Sequence, residues 1–276
     1  MTSLQAEDLR SLSSTPNSQV ACPFKPDRRM CHKRSGVCSI ALYQRDETWG
    51  AIVAGRPVSL CPSRFLQDGA VFAWVGEALL GTKTPTIVPE VPFLRREAAG
   101  GARRKEAGRI DHVLVRAEGD QFRWCALEMQ AVYFSGEDMG HDLATMRTWP
   151  GPGLPFPSKV RRPDFRSSGQ KRLMPQLQTK VPTLRRWGKK TAVAVDEPFW
   201  AALGDMRVVD DLSSADIAWF VLGYDGPTER GYRLALQRVV YTTLEDAVSG
   251  LTGGTPVSLE QFEQGIRLKI ERIGAS

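Results

Sequence analysis

The stretch FRWCALEMQAVYF, residues 122–134, constrains the fold more than any other. Its apolar residues fall on both parities, the pattern of a central strand covered on both faces. Glu128 and Gln130 interrupt that pattern two positions apart. Side chains alternate along a strand, so these two project from the same face. A carboxylate placed there costs several kcal/mol unless a partner compensates it. A metal ion is one such partner; a buried arginine or an outlet to solvent is the other. Upstream, IDHVLV at residues 110–115 reads as a second strand, and AEGDQ at 117–121 has turn composition around Gly119. A hairpin folded there sets Asp111 beside Leu127 or Glu128, so Asp111, Glu128 and Gln130 converge.

Two carboxylates meeting on a sheet suit Mg²⁺, which takes oxygen ligands and keeps several waters. An Asp, a spacer and then Glu-x-Lys on a strand is the pattern of the PD-(D/E)xK nucleases. Asp111, Glu128 and Gln130 resemble it, with Gln130 in place of the usual lysine.

Four of the five cysteines, Cys22, Cys31, Cys38 and Cys61, lie in the first quarter of the chain. The N-terminal residues MTSLQAEDLR show neither a basic n-region nor an apolar h-region, and no apolar run reaches membrane-spanning length. The expectation is a soluble, cytoplasmic protein with no membrane contact. Clustered thiols in that compartment are more often metal ligands than disulfides. The spacing C-x8-C-x6-C-x22-C lacks the tight pairs of zinc ribbons, so four unrelated thiols stay as the competing reading. The basic, turn-rich segment between them (Lys25, Arg28, Arg29, Lys33, Arg34) has no core of its own and needs a metal to fold. Residues 1–65 are therefore read as an N-terminal arm and a four-cysteine module, and residues 66–276 as the main domain. Cys125, on the opposite parity from Glu128, is read as core.

Six motifs occur in one order: CPF (22–24), GVCS (36–39), CPSRF (61–65), VPEVPFL (88–94), RIDHVLV (109–115) and EMQAV (128–132). Together they resemble the NotI-type type II restriction endonucleases, over residues 20–136 well and more loosely beyond. The resemblance implies a homodimeric PD-(D/E)xK enzyme that cuts both strands of a GC-rich palindromic double-stranded DNA site with Mg²⁺. It implies a structural metal on Cys22, Cys31, Cys38 and Cys61, iron or else zinc. It places Glu90 as an additional acid beside the catalytic metal, and it agrees with glutamine at position 130. The fold class expected is mixed α/β, a central mixed sheet flanked by helices.

Charge adds a second constraint. The chain carries a formal net charge of +6 over 276 residues. Between Lys159 and Lys190, eleven basic residues face only Asp164, whereas residues 191–276 hold thirteen acids against seven bases. Concentrated positive charge is the footprint of phosphate binding, and a solvated basic face is the alternative. Residues 150–190 are thus the candidate DNA-recognition region, with Arg161, Arg162, Arg166, Lys171, Arg172, Arg185 and Arg186 as candidate contacts. Gln170, Gln176 and Gln178 are interleaved; arginine suits guanine edges and glutamine suits adenine. The basic loop 98–108, with Arg103, Arg104 and Lys105, and the adjoining Arg109 lie next to the candidate site.

The remaining pattern predicts a helix over 65–80, whose Glu77 is an accessory acid or a surface carboxylate. It predicts an edge or bulged strand over 86–94 because of Pro89 and Pro92, and strands over 191–195, 216–224 and 233–243. Thr243 is a candidate N-cap, and Ser258 with Gln261 a candidate capping box. A non-catalytic DNA-binding protein on a nuclease scaffold and a nicking repair nuclease are the rival functions.

Overall fold

The computed structural model describes residues 21–25, 27, 29–31, 38–45, 52–96, 105–134, 145, 148, 150, 163–228, 231–253 and 257–274. Strands β3 (Thr86–Arg96), β4 (Lys105–Glu118) and β5 (Gln121–Met129) form an antiparallel meander. β8 (Thr191–Asp196) and β9 (Ile217–Thr228) continue it in parallel, and β10 (Gly231–Thr242) closes it antiparallel to β9. The result is one six-stranded mixed sheet in the order β10-β9-β8-β5-β4-β3, and the two-residue strands β6 (Tyr133–Phe134) and β7 (Pro163–Asp164) pair with each other outside it. β3 is the edge, where its two prolines are tolerated. The fold class is mixed α/β, as the sequence predicts.

β5, β8 and β9 sit in the middle, and both of their faces are covered. Cys125, Leu127 and Met129 point toward helix α1 (Ala70–Leu80) and its Val71, Phe72, Val75 and Leu79. The opposite parity of β8 and β9 (Val193, Val195, Ile217, Trp219) meets helix α3 (Met174–Arg186) and helix α5 (Leu244–Thr252) through Leu177, Val181, Leu244 and Leu251. α3 is reached through the single turn α2 (Phe165–Ser168) and a π segment, Gly169–Leu173. Its apolar inner face is Leu177, Val181 and Leu184, spaced 4 and 3 residues and in line with Leu173 at the end of the π segment, so the stripe runs straight down one side. Just past its end Trp187 stacks edge-on to Phe93 and Trp124, which pins the helix across β3 and β5.

The first helix departs from expectation. The 65–80 pattern predicts one helix, but a 3₁₀ segment, Pro62–Gly69, precedes α1 with a break between them. Asp68 and Gly69 both take positive φ there, +56° and +66°. Gln67 causes the break: its side-chain oxygen accepts from Arg64 and from the backbone N–H of Leu234 on β10. Tertiary bonding overrides helical periodicity at that point.

Two strands precede the break. β1 (Ser39–Arg45) and β2 (Ile52–Ser59) pair antiparallel, a hairpin that the basic, turn-rich composition does not predict. The end of β2 is not a detached module. Val58 and Leu60 join the core under α3, and Phe65 joins the core under α1. Ser59 donates its N–H to the buried Asp196 carboxylate (2.5 Å), and its carbonyl accepts from Val132 (2.9 Å). Arg64 lies over the Phe24 and Tyr224 rings, 4.7 and 4.9 Å from their centroids.

The C-terminal elements follow their caps. Thr243 accepts from the Asp246 N–H to start α5. Ser258 and Gln261 exchange side-chain and backbone bonds, a capping box opening α6 (Leu259–Gly274). None of the α6 residues is buried, and Leu259, Phe262, Ile266 and Ile270 lie exposed on it. The short helix α4 (Glu197–Ala201) is capped by Asp196. No described helix is long and apolar enough to cross a membrane.

Candidate active site

The hairpin forms where the turn signal lies. Glu118 pairs with Gln121, and Gly119 takes φ +55° in the turn, a conformation glycine adopts without strain. The register runs from there to His112 opposite Leu127, so the next position sets Asp111 beside Glu128. On the other side Pro89 pairs with His112 and Val91 with Ile110, which leaves Glu90 across from Asp111. Three acids therefore lie in one row across β3, β4 and β5.

Glu128 occupies the inner end of that row and is only 2% exposed. One carboxylate oxygen accepts from Lys180 Nζ at 2.7 Å, while the other is buried with no hydrogen-bond partner. Burial first, and the neighbouring Asp111 carboxylate second, push the Glu128 pKa up to about 7 against the pull of Lys180. Asp111 is half-buried, and one of its oxygens accepts from the Met129 N–H at 3.0 Å, which ties it across the hairpin. Two neighbouring acids, with a single ammonium on Glu128 alone, leave net negative charge and one orphaned oxygen. That donor set fits a hard divalent cation completed by water and phosphate oxygens. Among the described residues no three His, Cys, Asp or Glu side chains meet as a metal-holding group; Asp111 and Glu128 are two neighbouring carboxylates.

The flanking residues divide. Gln130 lies on the Glu128 face, 7% exposed, and donates from Nε2 to the Ala131 carbonyl at 2.6 Å. Glu90 takes φ +53° inside a strand, an uncommon conformation for a residue with a Cβ. Its side chain is exposed and 3.7 Å from Arg109, rather than turned into the Glu128 pocket. His112 faces the other side of the sheet, 5.0 Å from the Phe72 ring, where burial depresses its pKa although Asp111 and Glu90 oppose that. Glu77 is a surface carboxylate paired with Lys83 at 3.3 Å. Arg103, Arg104 and the Lys105 side chain lie outside the described residues.

Lys180 is the site residue that the charge pattern hides. In the sequence it is one basic residue among eleven. On α3 it falls between Leu177 and Leu184 on the apolar face, and it is 5% exposed. A lysine at an apolar position of an amphipathic helix is the signal that could have found it, because lysine is almost never buried without a partner. Gln176, one turn earlier, also accepts from its ammonium at 3.0 Å.

Two loop closures bring the cysteines toward one another. Cys22 and Cys31 flank a small turn closed by the Ala21–Met30 bridge and the Cys22 N–H to Arg29 bond. Cys38 and Cys61 flank the open end of the β1–β2 hairpin, where the Cys38 carbonyl accepts from both Leu60 and Cys61. The Cys38 thiol is held far above its ordinary pKa, first by a hydrogen bond with Cys61, then by burial, then by the charges of Cys61, Cys22 and Cys31. None of the four forms a disulfide, and among the described residues no three of them meet as a metal-holding group. Cys125 is 1% exposed in the α1 core, and burial raises its pKa to about 12.

From Phe165 to Arg186 the basic region is helical and presents several side chains outward. Arg166, Lys171, Arg172 and Arg186 are exposed, with the Arg172 guanidinium 3.5 Å from the Tyr133 ring centroid, just beyond the active strand. Arg185 is already engaged by Asp216 (3.1 Å) and Glu245 (3.3 Å). Gln170 donates to the Thr252 carbonyl, and Gln176 holds Lys180. Arg161 and Arg162 lie outside the described residues.

The meander with its paired acids lies within residues 9–234, and these residues match the sequence model of the restriction endonuclease NotI family. The chain belongs to that family. Membership makes it a type II restriction endonuclease, a site-specific deoxyribonuclease that acts on double-stranded DNA. Restriction endonucleases generally use Mg²⁺. α6 lies beyond the matched residues. No curated protein matches the chain.

Proposed function

We propose that the chain hydrolyses one phosphodiester bond in each strand of a GC-rich palindromic site, acting as a homodimer, with Mg²⁺ held by Asp111 and Glu128 on a PD-(D/E)xK core. The observation that carries this reading is the orphaned Glu128 oxygen, buried on the strand next to Asp111. The bound ion would lower the pKa of a coordinated water and stabilise charge on the scissile phosphate. Asp111 is held in position by the Met129 N–H, and Glu128 by Lys180. Gln130 is neutral, so it neither takes a proton nor adds positive charge; its part is to orient the attacking water or to lie beside the metal. Glu90, in the same row, is the candidate third acid.

Two further assignments belong to this reading. Cys22, Cys31, Cys38 and Cys61 hold a structural iron or zinc ion; their clustering in the sequence and the hydrogen bond between Cys38 and Cys61 support it. Arg161, Arg162, Arg166, Lys171, Arg172 and Arg186 form the DNA-facing set, which the exposure of Arg166, Lys171, Arg172 and Arg186 supports; Arg185, the remaining candidate, is engaged by Asp216 and Glu245 and serves the fold. A palindromic target matches a two-fold dimer, in which each copy reads one half-site.

Asp111→Asn and Glu128→Gln test the catalytic assignment. Each should lower plasmid cleavage in Mg²⁺ by several orders of magnitude, while duplex binding in Ca²⁺ stays within a few-fold of the parent. Normal cutting by either variant refutes the pair. Cutting of a single strand by the parent would instead indicate a nicking enzyme.

A further inference from the structure

The Glu128–Lys180 pair does not behave as a structural salt bridge. A closed buried pair satisfies both carboxylate oxygens, whereas here one is left without a partner. Stability does not account for the lysine either, since buried ion pairs are often no better than well-packed apolar residues of similar volume. The ammonium is fixed from two sides, by Glu128 at 2.7 Å and Gln176 at 3.0 Å, on a helix pinned to the sheet by Leu177, Val181 and Trp187. One residue past the end of β5, where the backbone still bonds to Ala194 of β8, the position two residues beyond Glu128 carries the neutral Gln130.

We infer that Lys180 is a positioning residue of the active site: from helix α3 it supplies the positive charge that the strand lacks at Gln130, and it clamps one oxygen of Glu128 so that the other is available to a divalent cation. This rests on the reading of Asp111 and Glu128 as the metal-binding pair. The chemistry is consistent with the geometry. Two adjacent carboxylates repel one another, and an ammonium fixed against one of them offsets that repulsion before any metal arrives. The remaining charge of the site still attracts a cation. A lysine delivered by a packed helix is also held more rigidly than one on a solvent-facing stem, because its rotamers are restricted by Leu177, Val181 and Leu184 around it.

The test uses Lys180→Met, Gln130→Lys and the double variant in the full-length protein. Lys180→Met should lower kcat at least 100-fold and move KM for cognate DNA less than threefold. It should also weaken Mn²⁺ binding to the DNA-free protein at least tenfold, read by electron paramagnetic resonance. Gln130→Lys in the Lys180→Met background should restore at least tenfold of the lost cleavage, because that position lies two residues beyond Glu128. A lysine needed only for packing would not be replaced from another element. If Lys180→Met does not fold, Lys180→Gln takes its place with the same expectations. The inference is overturned if the folded variant keeps cleavage and Mn²⁺ affinity within threefold of the parent, or if the second lysine restores nothing. Asp111→Asn and Glu128→Gln run alongside: if both are inactive while Lys180→Met cuts normally, only the lysine assignment fails.

Discussion

Asp196 shows how far a single carboxylate can be displaced from its ordinary behaviour in this chain. It is 1% exposed at the end of β8 and accepts backbone N–H bonds from Ser59 and Phe199. Burial outweighs those bonds and pushes its pKa up to about 6 from 3.8. A raised pKa means that the folded state binds the proton more tightly than the unfolded chain does. The stabilisation from Asp196 is therefore complete below about pH 4 and is lost as the pH rises through 6, a swing of up to about 3 kcal/mol. Asp196→Asn removes the titration but keeps an acceptor oxygen. The melting temperature of this variant minus that of the parent should rise between pH 4 and pH 7. A difference that stays flat across that range would contradict the assignment. Glu128 is displaced in the same direction, but the variant-minus-parent comparison cancels its contribution.

Helix α3 does two different things along its two sides. Its inner face packs on the sheet and delivers Lys180; its outer face carries the end of the basic run. Pairing with acids separates the exposed arginines there. Arg172, in the π segment leading into the helix, and Arg186 point outward, whereas Arg185 bridges Asp216 and Glu245 and so ties the helix to the start of β9 and to α5. Arg172→Ala and Arg186→Ala should weaken DNA binding. A phosphate contact would lower the slope of log affinity against log salt by about one unit, and a base contact would cost about 1–3 kcal/mol on the cognate duplex alone. Arg185→Ala should change the cognate-to-random ratio little and lower the melting temperature slightly. Binding to cognate and random duplexes across a salt series separates these outcomes. Unchanged binding in both Arg172→Ala and Arg186→Ala would move DNA recognition off this helix.

Across the whole molecule, the cysteine segment and the active strand are mechanically continuous. Cys61 follows Ser59 by two residues, and Ser59 bonds both Asp196 and Val132, four residues past Glu128. If the four cysteines hold a metal, its loss should be felt at the active strand. The purified protein should contain about one iron or zinc per chain. Cys61→Ser should lose that metal, melt at lower temperature and cut more slowly, because metal binding contributes folding free energy to a segment with little core of its own. Elemental analysis that finds no transition metal in active protein would end this assignment.

The sequence by itself determined what depends on local geometry. Strand alternation has a period of two set by covalent structure, so Glu128 and Gln130 on one face and Cys125 on the other follow from spacing alone. Gly119 marks the turn, and the turn places Asp111 beside Leu127 or Glu128, within one residue of the register found. The caps at Thr243 and Ser258 are equally local. The tertiary structure decided the rest. Gln67 bonds to β10, 167 residues away in the chain, and so breaks the helix that periodicity predicts. Glu90 stands in the acidic row by register, yet its side chain sits near Arg109 at the sheet edge, where solvent competes for it. Lys180 reaches Glu128 across 52 residues, because the apolar stripe of α3 lays the helix over the face from which Glu128 projects. No spacing rule links two residues on different elements; packing alone brings them together.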